Sequence, residues 1–244
     1  MKTTIKIYSR LFLVIILFST ACKKDYGDLN NTTVQSLLNN ATQSELNNLV
    51  SGTESGMRNV LNLYLDDVSI IGRETYRFSN SEPRYTLDLL GGNGSTLNGS
   101  NFYITQPWAD RYAVVKNCNV LIQAATNSTL ISSAQKEGYI GFARTIKAYQ
   151  LLMNLNLTYS NGIRVNVTNP DNLGPFVSYA DGLAAISSLL DSAKTDFSNG
   201  TVSFTLAGFG GFSDAAGLTQ FNRALVARVS VYQGQWQTAL DDLN

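Results

Sequence analysis

The chain contains no histidine. That absence removes the Ser-His-Asp triad, the Cys-His dyad and every His-containing zinc site. Cysteine is nearly as scarce. Cys22 and Cys118 stand far apart, so they form no thiolate cluster, and no metal or cofactor is expected. Charge is thin as well: Asp, Glu, Lys and Arg make up 15% of the 244 residues, against about 25% in an average domain. The 18 basic residues balance the 18 acidic ones. A nucleic-acid binder needs a basic face, so no nucleic-acid partner is expected. No apolar run reaches the roughly 20 residues of a membrane-spanning helix. What the chain does hold is 44% hydrophobic and 10% aromatic residues, enough for a core and too many for wholesale disorder. Asn, Ser and Thr carry most of its polarity.

The N-terminus reads as an address. Lys2, Lys6 and Arg10 form a basic region before the apolar run Leu11 to Phe18, and Ser19-Thr20-Ala21 leads to Cys22. Eight apolar residues suit a signal peptide and are too few for a span. A Cys directly after small residues resembles a bacterial lipobox, with Ser19 where Leu is usual. On that reading residues 1–21 are removed and Cys22 is lipidated, anchoring the chain by acyl groups rather than by a helix. The other reading is an ordinary secretory signal with an incidental Cys. Removal takes three basic residues and leaves 15 against 18 acidic ones. Residues 22–41 are polar and weakly periodic and read as a tether. Cys118, alone in an exported chain, reads as a small buried hydrophobe.

From residue 42 onward the pattern is helical. Thr42-Gln43-Ser44-Glu45 has capping-box spacing. Leu46, Leu49, Val50, Met57, Val60, Leu61 and Tyr64 follow at intervals that predict one amphipathic helix. Gly52 and Gly56 lie within it, where a neighbouring helix can approach. Trp108 to Thr126 predicts a second helix with Tyr112, Val115, Asn119 and Ile122 on one face. Ser132 and Gln135 open a third, running through Tyr139, Phe142 and Ile146 to Leu157. Ser178 caps a fourth, with Leu183, Ile186 and Leu190, stopped at Asn199-Gly200. The last stretch, Phe221 to Asn244, reads as two pieces joined at Gly234. Its small residues Ala227, Gly234 and Ala239, with Trp236 beside them, resemble a tetratricopeptide helix pair.

Between Asp66 and Phe102 the periodicity fails, and the segment is rich in Arg and aromatic residues. A loop of that length in a compact domain is usually functional or disordered, and this composition argues against disorder.

Four motifs in order resemble the SusD/RagB family: the signal ending at Cys22; Trp108-Ala109-Asp110-Arg111-Tyr112 running on to Asn117-Cys118-Asn119-Val120-Leu121-Ile122; Gly141-Phe142-Ala143-Arg144-Thr145-Ile146-Lys147-Ala148-Tyr149; and Phe221-Asn222-Arg223-Ala224 through Tyr232-Gln233-Gly234-Gln235-Trp236. Phe142 and Lys147 replace the Glu and second Arg of the family's third motif. The resemblance implies an all-α, tetratricopeptide-like helical scaffold with long irregular loops. It implies a lipid-anchored, surface-exposed outer-membrane protein that binds a glycan or other nutrient without catalysis. It also implies a SusC-like TonB-dependent transporter as partner. The family is about twice this length, and the chain stops at Asp241-Asp242-Leu243-Asn244, inside the expected second repeat helix. Residues 42–244 therefore read as the N-terminal half of a longer protein, or as a truncated product. The competing expectation is a helical-repeat scaffold that binds proteins and no small ligand.

For ligand binding, the first long loop offers Arg73, Glu74, Tyr76, Arg77, Arg84 and Tyr85, followed by Asn98, Asn101, Phe102 and Tyr103. Sugar rings stack on aromatic faces while their hydroxyls pair with Arg, Asn and carboxylates. The same residues have a structural reading, as loop packing with an Arg73–Glu74 or Glu82–Arg84 pair. Trp108 likewise reads either as a stacking platform or as core. No catalytic residue is expected. Asp66 and Asp67 are adjacent and their side chains diverge, whereas a glycosidase needs two carboxylates facing across the scissile bond. Gly208-Phe209-Gly210-Gly211-Phe212 lacks the Lys-Ser/Thr of a phosphate loop.

Overall fold

The computed structural model describes residues 34–243. The protein is mostly helical, with eight α-helices among the described residues and one two-stranded sheet. The helices are α1 (Val34–Asn40), α2 (Gln43–Gly56), α3 (Leu61–Ile71), α4 (Phe102–Asn127), α5 (Ser133–Thr158), α6 (Tyr179–Asn199), α7 (Ala215–Tyr232) and α8 (Trp236–Leu243). None is long and apolar enough to cross a membrane.

Helix starts follow the sequence closely. The capping boxes at Thr42/Glu45 and Ser132/Gln135 are both closed, and Ser178 accepts from the Asp181 amide. Each satisfies amides that the first helical turn leaves unpaired. Two boundaries move outward from the sequence reading. Helix α3 runs to Ile71, so the irregular segment begins six residues after Asp66. Helix α4 begins at Phe102, capped by Asn101, so Trp108 sits a turn and a half inside it.

The helix expected over residues 42–64 is two helices. Val60 breaks it in the left-handed region at φ 53°, which a β-branched residue rarely enters. The cause lies far away in sequence. Arg111, fully buried on α4, donates to the carbonyls of Met57 (2.8 Å) and Asn59, and to Gln150 Oε1 at 3.0 Å. A buried guanidinium takes carbonyls that would otherwise continue the ladder, and its charge suits a helix C-terminus. Gly56 meets the Val114 side chain as a close-approach glycine, while nothing lies near Gly52.

Residues 34–41, the last of the expected tether, belong to the helical domain. Ala41 is fully buried. Asn127 Nδ2 donates to Leu38 O at 2.7 Å, and Ser128 Oγ donates to Ala41 O at 2.6 Å. The signal segment, Cys22 and the tether up to residue 33 lie outside the described residues.

Helix α5 is the axis. It is buried on nearly every face, from Gly138 to Leu155, as a helix with neighbours all round must be. One core, around Leu46, Cys118, Leu121, Tyr139, Phe142 and Phe204, joins α2, α4 and the first half of α5. A second, around Val115, Leu151, Leu155, Ile163, Ile186 and Val229, joins the rest of α5 to α6 and α7. Glycine permits the closest contacts. A Cβ on Gly138 would lie 2.2 Å from Thr201 O, and one on Gly141 would touch the Phe197 ring at 3.0 Å. Arg144 grips both oxygens of Asp196 at 2.7 Å, tying α5 to α6. Phe142, in the Glu position of the resembled motif, packs against Phe204 and Phe209.

The α7–α8 turn departs from the tetratricopeptide reading in two places. Ala227 and Ala239 are buried as expected. Gly234 has open space around its Cβ position and is needed for its φ of +73° instead. Trp236 is 65% exposed rather than packed beside them.

Candidate functional site

Eight of the ten candidate loop residues divide into fasteners and display. Arg77 pairs with Asp66 and lays its guanidinium 4.7 Å over the Tyr85 ring. Arg84 pairs with Glu82 and covers the Phe102 ring at 4.6 Å. Tyr85 and Tyr103 are buried, with ring centroids 5.3 Å apart, in a small core with Ile70 and Leu89. Burial pushes the Tyr103 phenol well above its usual range. Asn101 accepts from the Tyr103 amide and donates to Asp88. These five residues fold the segment onto α3 and α4. The Glu82–Arg84 pair forms; Arg73 donates to Leu90 O at 3.1 Å, so an Arg73–Glu74 pair does not.

The other three, Arg73, Glu74 and Tyr76, remain on the outside with Phe78. Tyr76 is 60% and Phe78 77% exposed, and their rings lie parallel within 7° at 6.3 Å. Alternating residues on an extended stretch point to one side, which places both rings on the same face. Arg73 itself takes φ 64°, so the chain turns sharply into this display.

A cavity of about 600 Å³ lies elsewhere, and sequence reasoning missed it. Helix α4 supplies Trp108, Tyr112, Lys116, Asn119, Val120 and Gln123, a stripe at helical spacing. Val34 and Leu38 of α1 close one side. The other wall is the excursion from β1 (Ile163–Arg164) to β2 (Phe176–Val177), paired antiparallel with Arg164 opposite Phe176. Arg164 lies 4.5 Å over the Phe176 ring, a cation–π contact. Tyr112 Oη accepts from Arg164 N and donates to Arg164 O, both at 2.9 Å, which locks the strand to α4. Trp108 meets Tyr112 edge-on and is stacked near Phe176. Trp108 thus combines its two sequence readings: it packs locally and also lines a pocket. The flanking Asn169-Pro170 and Gly174-Pro175 loops around apolar Val165, Val167 and Phe176 were the available signal.

Behind that wall Lys147 is buried and donates to Asn119 Oδ1 at 2.8 Å. Burial pulls its ammonium below the usual range. Cys118 is buried and free, its thiol pushed up to about 12 by burial, which suits a packing role. No group of acidic or thiol side chains among the described residues is arranged to hold a metal ion. No protein-family model, no curated protein and no solved structure matches the chain.

Proposed function

We propose that the protein is a non-catalytic, surface-exposed nutrient-binding lipoprotein of the SusD type. It is anchored to the outer membrane through Cys22 and delivers a glycan or other nutrient to a SusC-like TonB-dependent transporter. The finer fold in this reading is a tetratricopeptide-like repeat, with α7 and α8 as one helix pair. Its support is the order of the four sequence motifs together with one observation on the loop. Five polar and aromatic residues fasten the segment from behind, while Tyr76 and Phe78 stand exposed and parallel in front. Large aromatic rings held out in water by a fastened loop suit stacking against a sugar face. Arg73 and Glu74 flank them with hydrogen-bonding groups.

The test is native gel retardation against a panel of polysaccharides. Retention by one of them, lost in the double variant Tyr76→Ala/Phe78→Ala, supports the reading. Absence of retention, with transporter co-purification intact, rejects it in favour of a protein-binding scaffold. One observation favours that alternative: Trp236, Leu240 and Leu243 leave an apolar stripe of α8 exposed. Release of reducing ends from a retained glycan sinks the non-catalytic assignment.

A further inference from the structure

We propose that the cavity between α4 and the 163–177 excursion binds a small carboxylic acid with a compact apolar body. The site is separate from the Tyr76–Phe78 display, and neither reading depends on the other. Its volume of about 600 Å³ falls within the usual range for small-molecule pockets. Most of its wall is apolar: Val34, Leu38, Val120, Val167 and Leu173, with the Trp108 and Phe176 rings. Such walls on several sides favour a hydrocarbon or aromatic body over a sugar ring fringed with hydroxyls.

The polar groups decide the rest. Lys116 and Arg164 line the cavity, and among the described residues no carboxylate does. Neither cation has a carboxylate partner among the described residues. Arg164 uses one nitrogen on Gly174 O, and a guanidinium has five N–H donors. The Tyr112 hydroxyl is consumed by the Arg164 backbone.

Asn119 adds an independent sign. It is only 8% exposed, and its Nδ2 is buried without a hydrogen-bond partner among the described residues. An ammonium can only donate, so the Asn119 atom facing Lys147 must be the oxygen. Lys147 therefore fixes the amide and leaves its donor end unspent. Buried donors left unpaired are costly, and such exceptions in a folded protein call for an explanation. Two cations, with the neutral Gln123 and Thr168 beside them, give the site an excess of donors. Sugar hydroxyls need acceptors as well as donors, whereas a carboxylate only accepts. The geometry pairs an acid group with Lys116 and Arg164, and an apolar body with Trp108 and Phe176.

The experiment is isothermal titration of the full chain with 4-phenylbutyrate and with its neutral isostere 4-phenylbutyramide. The acid is expected to bind about tenfold more tightly, because two cations facing one carboxylate make charge-assisted contacts that the amide does not. Lys116→Gln is expected to shrink that preference, weakening the acid more than the amide. Lys116 is exposed and has no ion-pair partner among the described residues, so its loss spares the fold. Arg164→Gln is expected to shrink the preference further. Equal affinity for acid and amide, or no heat from either at about 10 mM, overturns the proposal. So does an acid preference that persists undiminished in both variants, because the acid then sits elsewhere. Polysaccharide retention through Tyr76 and Phe78 is scored separately and is unaffected by either variant.

Discussion

Arginine holds two regions of this molecule together in opposite ways. In the helical core, Arg111 is fully buried and spends its guanidinium on two backbone carbonyls and a glutamine. In the segment between α3 and α4, Arg77 and Arg84 stay half in water, each with a carboxylate partner and an aromatic face. The core arginine positions other elements: it ends α2 and orients α3. The loop arginines position only their own segment. A buried charge left without partners is expensive, so removing what surrounds it, or removing it and orphaning the carbonyls, is felt throughout. Half-exposed pairs contribute little individually because water screens them.

The largest effect expected from breaking this contrast is at Arg111. Arg111→Leu leaves the Met57 and Asn59 carbonyls unpaired and should cost about 3–5 kcal/mol in urea denaturation. A loss under about 1 kcal/mol would show that the buried guanidinium is not what sets the α2–α3 break. Next comes a position where backbone meets backbone. Gly162 has φ +69°, and a Cβ there would lie 1.8 Å from Val177 O. Gly162→Ala should cost about 2–4 kcal/mol and open the hairpin wall of the cavity. Matching melting temperatures for the variant and the parent would contradict the turn.

Asp67 sharpens the contrast because it stands at the joint of the two regions. Its side chain is fully buried on α3 and neither oxygen has a partner among the described residues. Burial, and then the neighbouring Asp66 charge, push its carboxyl up to about 7. An unfolded Asp titrates near about 4. Between about pH 4 and pH 7 the native state keeps a proton that the unfolded chain has lost, so stability falls as pH rises through that window. Asp67→Asn should flatten this slope and stabilise the fold above pH 7 by on the order of 2 kcal/mol. Denaturation midpoints at pH 5 and pH 8 decide it, and an unchanged slope refutes it. The smallest effect belongs to the loop. Arg84→Gln should change global stability by less than about 1 kcal/mol. It should nonetheless speed proteolysis between residues 72 and 101, because local opening is set by local contacts. Equal cleavage rates would show that the pair fastens nothing.

How much was legible follows the range of the interactions. Helix starts at Thr42, Ser132 and Ser178 were readable because a cap is written within four residues. The stop at Asn199-Gly200 was equally local. The break at Val60 was not, because the hydrophobic stripe from Leu46 to Tyr64 continues across it and its cause lies some fifty residues later in Arg111. The same holds for residues 34–41: Leu38 and Ala41 are held by Asn127 and Ser128, which no local pattern reveals. On the loop, composition picked out the right segment, yet could not separate Tyr85 and Tyr103, which turn inward, from Tyr76, which turns outward. The cavity was invisible for a related reason. Arg164 and Phe176 meet only because two strands of two residues each pair across an irregular excursion, and strands that short carry no periodicity. At the C-terminal turn, small residues were read as contact sites; Gly234 instead serves backbone conformation, and Trp236 is left in water.

Cys118 gives the core a built-in clock. Its thiol is buried against α5 and held almost wholly protonated, so an alkylating reagent can reach it only when α4 and α5 part. The rate of labelling at residue 118, separated by peptide mass from any labelling at Cys22, therefore measures how often the central helices open. No engineered probe is needed to time that event, and the effect of a ligand in the neighbouring cavity on it can be read from the same reaction.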